Sequence, residues 1–184
     1  MAEFLTDLGG MVIDTDRIAH EITEPGSESL EAIRDAFGER VFNQDGSLNR
    51  GAVADIVFND EKQLQVLNSI LHPKIGAVWK NLVEECGHPF VFVVIPLLYE
   101  VELQDNFDEV WVVTADDEIR INRVMKRDNA SLESIMRRIL NQMPEAKKIE
   151  AADLVINTNG NLESTRSQTE KAFSNLLKKL NRGE

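Results

Sequence analysis

The sequence predicts an α/β fold in which a small parallel sheet is flanked by helices and carries two helical insertions. Runs of apolar residues at 90–95, 110–113 and 154–156 are typical of strands that are covered on both faces, and they predict strands at about 90–95, 109–114 and 153–157. A further run at 11–13 indicates a fourth strand. Helical patterns separate these runs, which favours parallel pairing of the strands in a layered domain.

Amphipathic patterns predict helices before, between and after these strands, at residues 1–8, 15–24, 29–37, 49–58, 60–71, 73–86, 116–151 and 161–180. Asp60 and Gln63 have the spacing of a capping box at the start of one of them. Pro73 suits the first turn of a new helix, so we expect a break at His72. The long helical stretches 17–86 and 116–151 are the two predicted insertions.

Composition excludes several classes of protein. The 184 residues are 42% hydrophobic, which fits a packed globular chain, yet no apolar run approaches the roughly 18 residues that a membrane-spanning helix needs. Residues 1–10 lack the pattern of a secretory signal, and a single cysteine, Cys86, fits a reducing compartment. We therefore expect a cytoplasmic protein with no membrane partner. The net charge of −12 argues against a nucleic-acid partner, and the oligomeric state is not predicted.

The charge is distributed unevenly along the chain. Residues 120–148 carry a net charge of +5, so the remainder of the chain carries −17. A basic segment on an acidic protein suggests a small polyanionic ligand bound at one place, although the solvated faces of two helices would give the same composition.

Two carboxylates, Asp14 and Asp16, directly follow the first predicted strand, where open α/β sheets bind their ligands. One carboxylate of such a pair could deprotonate a hydroxyl while the other holds Mg²⁺. The alternative is structural, because Asp14 or Thr15 could cap the helix that follows.

Two further segments carry polar residues near element ends. His72 precedes Pro73 and could face a ligand, but it could equally fill a helix break. Glu100 follows the most apolar strand, within the segment 96–100, and could contact a ligand or metal, or could be a surface residue of a loop.

Guanidinium groups dominate the basic segment. Arg123 and Arg127 are four residues apart and share a helix face, and Arg138 lies in the next helix. Arginine binds phosphate oxygens with two parallel hydrogen bonds and neutralises charge that develops during phosphoryl transfer. Pairing with acids such as Glu118 and Asp128 is the alternative, although the excess of positive charge argues against complete pairing.

Taken in order, these motifs resemble the dephospho-coenzyme A kinase family over nearly the whole chain. The matching stretches are Val12-Ile13-Asp14-Thr15-Asp16 with Ala19 and Glu24-Pro25-Gly26, Asp45 to Arg50, Val57-Phe58-Asn59-Asp60, Leu71-His72-Pro73, Pro96-Leu97-Leu98-Tyr99-Glu100, Arg123 to Asp128, and Ala152 to Ile156 leading to Asn159-Gly160.

The resemblance implies a P-loop kinase fold that uses MgATP to phosphorylate the ribose 3′-hydroxyl of dephospho-CoA, the last step of CoA synthesis. It implies Asp16 as the base, with Asp14 close to the metal and phosphates, although the sequence leaves the order of the two open. The phosphate contacts would be Arg123, Arg127 and Arg138; the residues near ATP would be Asn159 and Gly160; and those on the substrate side would be Arg50, His72, Leu98 and Glu100.

The resemblance also implies three functional regions. Residues 1–16, 87–116 and 152–184 would form the nucleotide-binding core, residues 17–86 a helical CoA-binding insertion, and residues 117–151 a lid over ATP.

One family motif has no counterpart in the sequence. None of the ten glycines is followed by lysine, so the chain contains no G-x-x-x-x-G-K-[ST] loop to bind the β-phosphate. We expect that this loop and the central strand before it lie upstream of Met1, and that the chain without them is inactive. An in-frame motif in the upstream DNA would support this expectation. The alternative is a homologue that binds dephospho-CoA or CoA without catalysis.

Overall fold

The computed structural model describes residues 1–128 and 131–182. The chain divides into two compact units, residues 11–95 and residues 1–10 with 96–184. The helices and strands are, in chain order, α1 (Ala2–Asp7), β1 (Met11–Asp14), α2 (Thr15–Glu21), α3 (Glu28–Phe37), α4 (Arg50–Val57), α5 (Glu61–Glu85), β2 (Val91–Val94), β3 (Trp111–Thr114), α6 (Asp117–Asp128), α7 (Leu132–Leu140), α8 (Glu145–Ala151), β4 (Leu154–Asn157) and α9 (Leu162–Arg182). Short 3₁₀ turns occur at Glu39–Val41 and Gln104–Asn106.

In the unit formed by residues 11–95, β1 and β2 pair in parallel, with Met11 opposite Val91 and Asp14 opposite Val94. Both strands therefore end at the same edge, and α2 starts directly at that edge. Helices α2, α3 and α4 all pack against the long helix α5.

The core of this unit is a cluster of buried aliphatic and aromatic side chains from α3, α4 and the turn between them: Ile33, Phe37, Val41, Val53 and Val57. One face of α5 covers the cluster with partly buried Leu64, Leu67, Ile70 and Leu71. The spacing of these four residues is that of the apolar face of a helix, which is why the sequence pattern indicated a helix there.

The predicted helix break at His72 is wrong, because α5 runs from Glu61 to Glu85 with Pro73 in its interior. An interior proline removes one backbone hydrogen bond and costs about 3 kcal/mol. Apolar side chains on both sides of the proline offset this cost: Leu71 packs on the core cluster, and Trp79 is buried further along the helix. Asp60 caps the helix as predicted, accepting hydrogen bonds from the backbone N–H groups of Lys62 and Gln63.

In the other unit, β3 and β4 pair in parallel, with Trp111 opposite Leu154 and Thr114 opposite Asn157. Helix α9 packs against β4 and against α1, and its Thr169 and Phe173 are buried. Helix α6 packs against α7, and α8 packs against β3. In the predicted lid region, α6 and α7 therefore contact each other, and α8 contacts the sheet through β3.

The expected α/β architecture is confirmed, with parallel strands flanked by helices. The described residues form two two-stranded sheets rather than the single small sheet that we expected. A further strand before residue 1 stays a prediction. Every helix in residues 1–128 and 131–182 is too short or too polar to cross a membrane.

Candidate functional site

The two predicted acids lie together at the end of β1. Asp14 is the N-cap of α2, and its Oδ1 accepts a hydrogen bond of 2.9 Å from the backbone N–H of Asp16. The buried Thr15 donates from Oγ1 to the carbonyl of Val94 at 2.8 Å, which fixes the start of α2 to the end of β2. The structural interpretation of Asp14 as a cap is thus confirmed. Both carboxylates are exposed at this edge.

Arg50 and His72 lie in the same unit as these acids. The Arg50 guanidinium donates to Thr23 Oγ1 at 2.8 Å, which links the start of α4 to the residues after α2. Burial lowers the pKa of Arg50, and within the described residues no carboxylate pairs with it. An arginine that pairs with no carboxylate retains a positive charge that an anionic ligand can neutralise.

Acidification is expected to destabilise the chain through His72, because burial lowers the pKa of its ring. The charged form is disfavoured in the folded state, so unfolded chains bind more protons as the pH falls through the ordinary range of histidine. The stability that neutral His72 contributes is present above that range and is lost below it. Urea unfolding at pH 7 and pH 5 should therefore show a smaller loss of stability in His72→Gln than in the wild type.

The matched control for this prediction is His20→Gln, which replaces an exposed histidine on α2. An equal loss of stability between pH 7 and pH 5 in the two variants would contradict the assignment to His72.

The carboxyl ends of β3 and β4 are joined by polar contacts. The Thr158 backbone N–H and Oγ1 both donate to the carbonyl of Thr114, at 2.8 and 3.0 Å. The Asp116 N–H donates to Asn159 Oδ1 at 2.7 Å. Asn159 therefore holds the loop after β3 beside the loop after β4, at the edge where ligands bind in parallel sheets.

Arg123 also reaches these loops. Its guanidinium donates to Thr158 Oγ1 at 3.0 Å and to the Thr158 carbonyl at 2.6 Å. Gly160 follows directly, and a Cβ there would come within 3.2 Å of the Ser164 Cβ. The structure thus groups three predicted residues, Arg123, Asn159 and Gly160, at one edge of the β3–β4 pair, and the tight packing explains the glycine.

Arg127 and Arg138 meet at a shared acid. The Asp128 carboxylate pairs with Arg127 Nε at 2.6 Å and with Arg138 Nη1 at 3.4 Å, so groups from α6 and α7 lie side by side. Its hydrogen bond with Arg127 holds the pKa of Asp128 below its usual range. The predicted alternative of pairing with acids therefore applies here to Asp128.

Glu100 is not the surface residue that the alternative interpretation described. Its Oε1 pairs with Lys148 Nζ at 2.6 Å and accepts from the Met143 N–H at 2.8 Å, and only 17% of its side chain is exposed. Its Oε2 is buried and has no hydrogen-bond partner among the residues that the structure describes. Leu98, half-buried, accepts from the Leu103 N–H in the same turn-rich loop.

The residues present could hold a magnesium ion only if a bound phosphate supplied some of its ligands. In the described part of the chain, no group of three or more His, Cys, Asp or Glu side chains is arranged to hold a metal. Mg²⁺ in phosphate-transfer sites commonly takes one or two carboxylates and fills its other positions with water and substrate oxygens. Asp14 could supply one such carboxylate, because it is exposed at the strand edge and caps the helix through Oδ1.

Sequence reasoning missed three residues that organise these groups: Thr114, Thr158 and Glu145. Two of them end or directly follow a strand, so their position at a strand end was a usable signal. Glu145 gave no such signal, because its partner Thr114 lies 31 residues away in sequence.

Parallel strands flanked by helices define this chain as an α/β protein, a class in which ligands bind at the carboxyl ends of the strands. The family model for dephospho-CoA kinase matches residues 1–164. The chain belongs to the dephospho-CoA kinase family, which is a family of nucleotide-binding phosphotransferases. The expected family is thereby confirmed.

Individual relatives agree with the family match. The chain is 40% identical to a dephospho-CoA kinase of Moorella thermoacetica, covering 98% of this chain and 87% of the relative. It is 36% identical to that of Carboxydothermus hydrogenoformans, covering 91% and 83%. Among solved structures, a Thermus thermophilus protein superposes with a TM-score of 0.82 at 31% identity, covering 96% of this chain and 89% of that one. Dephospho-CoA kinase from Campylobacter jejuni superposes with a TM-score of 0.64 at 27% identity, covering 98% and 90%.

Proposed function

We propose that this protein transfers the γ-phosphoryl group of ATP to the ribose 3′-hydroxyl of dephospho-CoA, giving CoA and ADP. The observation that carries the proposal is the family match over residues 1–164, together with relatives named dephospho-CoA kinase. The geometry supports it, because exposed carboxylates and guanidinium groups lie at strand ends or on the helices that follow strands.

In this mechanism Asp16 is the general base. Its carboxylate accepts the proton of the 3′-hydroxyl as that oxygen attacks the γ-phosphorus, and the bond from the γ-phosphorus to the β–γ bridging oxygen breaks as ADP leaves. The Asp14 cap supports this role by fixing the first turn of α2, through its hydrogen bond from the Asp16 N–H. Asp14 would also hold Mg²⁺, which neutralises phosphate charge when it is bound.

The arginines bind the phosphates in this proposal. Arg127 and Arg138 both pair with Asp128, so their guanidinium groups lie close enough together for one polyphosphate to bind both. Arg123, Asn159 and Gly160 lie beside one another at the β3–β4 edge and are assigned to the nucleotide. On the substrate side, we assign Arg50, His72, Leu98 and Glu100 to dephospho-CoA. The Oε2 atom of Glu100 has no hydrogen-bond partner among the described residues and would supply an acceptor.

The functional regions remain part of the proposal. Residues 17–86 would bind the CoA moiety, residues 117–151 would form the lid, and the remaining segments would form the nucleotide-binding core. The family match gives no support to the expectation that the chain is inactive without a G-x-x-x-x-G-K-[ST] loop.

Titration of dephospho-CoA into the chain, with and without MgATP, tests the function. We expect dephospho-CoA to bind, and MgATP to convert it to a product heavier by one phosphoryl group, which mass spectrometry detects. CoA, whose 3′-position already carries a phosphate, is the control acceptor and should gain nothing. Binding of dephospho-CoA without turnover would favour the non-catalytic homologue instead.

A further inference from the structure

Helix α8 is attached to two other elements through its first residue. Glu145 accepts a hydrogen bond at Oε1 from the Thr114 hydroxyl, at the carboxyl end of β3. Its Oε2 pairs with Arg120 Nη1 at 2.9 Å, in the first turns of α6. One carboxylate therefore connects a strand end, the start of α6 and the start of α8.

Arg120 in turn lies between two carboxylates. Besides Glu145, its Nη2 pairs with Asp117 at 2.6 Å, and its Nε is buried without a hydrogen-bond partner among the described residues. Arg123 lies three residues further along the same helix and reaches Thr158, which itself bonds to Thr114. The contacts of Arg120 and Arg123 thus lead back to the same strand-end residue, Thr114, from two successive turns of α6.

The setting of Glu145 differs from that of an ordinary surface pair. Its side chain is 22% exposed and that of Arg120 is 32% exposed. By contrast, Glu133 pairs with Arg137 at 3.7 Å with 83% of its side chain exposed. Partly buried ion pairs lose hydration, and good geometry with additional hydrogen bonds must offset that loss, whereas exposed pairs contribute little. Glu145 has both the short ion pair and the additional hydrogen bond.

We propose that Glu145 is a positioning residue for ATP binding. It holds Arg120, and through it the first turns of α6, against Thr114, so that Arg123 stays at the Thr158–Asn159 loop. This inference rests on the proposed function, since it takes Arg123 and Asn159 as nucleotide contacts. Glu145 itself touches neither the substrate nor the reacting atoms.

The test compares Glu145→Gln with the matched control Glu133→Gln, which removes the same charge from an exposed position on α7. Loss of one charge-assisted contact should raise the Kd and KM for ATP about tenfold in Glu145→Gln. In Glu145→Gln, the kcat and the Kd for dephospho-CoA should stay within about twofold of the wild type. In Glu133→Gln, the Kd and KM for ATP should not change either.

Changes at Thr114 keep the test valid if Glu145→Gln folds poorly. Thr114→Val removes the hydroxyl that contacts Glu145 and should weaken ATP binding, whereas Thr114→Ser restores the hydroxyl and should recover wild-type affinity. In the double variant Thr114→Val with Glu145→Gln, the Kd for ATP should rise by less than the product of the two single-variant increases, because both changes break one network.

Equal ATP affinity in Glu145→Gln and Glu133→Gln would overturn the inference, and so would a fall in kcat at unchanged KM. Failure of the proposed function looks different: the unaltered chain would bind ATP, with the affinity pattern above, but would not phosphorylate dephospho-CoA. Absence of ATP binding by the unaltered chain would overturn both.

Discussion

Replacing Asp16 with asparagine is expected to slow phosphoryl transfer by a factor of about 100 or more, the lower limit for a positioned general base. Asparagine keeps the size of the side chain, and the Asp14 cap of α2 needs only the backbone N–H of residue 16. The helix should therefore remain intact while the proton acceptor is lost. Single-turnover rates at saturating dephospho-CoA and MgATP measure the effect.

Two further variants complete this experiment. Asp55→Asn, at an exposed carboxylate of α4, is the matched control and should transfer phosphate at the wild-type rate. Asp14→Asn should keep the cap, because asparagine caps helices as well as aspartate does. A large loss of rate in Asp14→Asn with a normal rate in Asp16→Asn would assign the base to Asp14. A normal rate in both variants would remove the pair from the mechanism.

The second large effect concerns the helical unit that carries Arg50 and His72. Ile33→Ala is expected to lower the free energy of unfolding by about 2–5 kcal/mol, since Ile33 is completely buried in the cluster of α3 and α4 and its removal leaves a cavity. Urea unfolding followed by circular dichroism measures the change. Because this cluster fixes α4 and α5, the affinity for dephospho-CoA should fall as the unit unfolds.

Asp35→Ala provides the control for Ile33→Ala, since it shortens an exposed residue two positions along the same helix. A change of no more than about 0.5 kcal/mol is expected there. Similar unfolding midpoints in the two variants would show that Ile33 does not organise the core of this unit.

Local patterns predicted most of the helices and strands because local physics determines them. The strands predicted at 90–95 and 153–157 became β2, which is one residue shorter at each end, and β4, which is one residue shorter at its start. Asp60 caps α5 because its side chain reaches the free N–H groups of the first turn. The helix break predicted at His72 was wrong, because a proline usually ends a helix but Pro73 lies inside α5. Here the packing of α5 on both sides of the proline outweighs the local cost, and a single sequence does not display that packing.

The chemistry of the candidate site was visible in the sequence, but its contacts were not. Asp14 and Asp16 could be named because carboxyl ends of strands bind ligands and these residues lie at the end of a strand, whereas Asn159 was named only through the resemblance to the family. The pairing of Glu100 with Lys148 and of Glu145 with Thr114 joins residues 48 and 31 positions apart, and nothing in residue spacing specifies such partners. Asp128 was expected only as an alternative partner for arginine, yet it pairs with Arg127 and Arg138, two of the three predicted phosphate contacts.

The position of the transferred phosphate tests the central claim most directly. After incubation of dephospho-CoA with MgATP and the protein, ³¹P NMR should show one new phosphomonoester on the ribose 3′-oxygen, with one ADP formed for each. ADP release with free phosphate and unchanged dephospho-CoA, or a phosphate on any other oxygen, would contradict the assignment of this chain as the kinase that completes CoA.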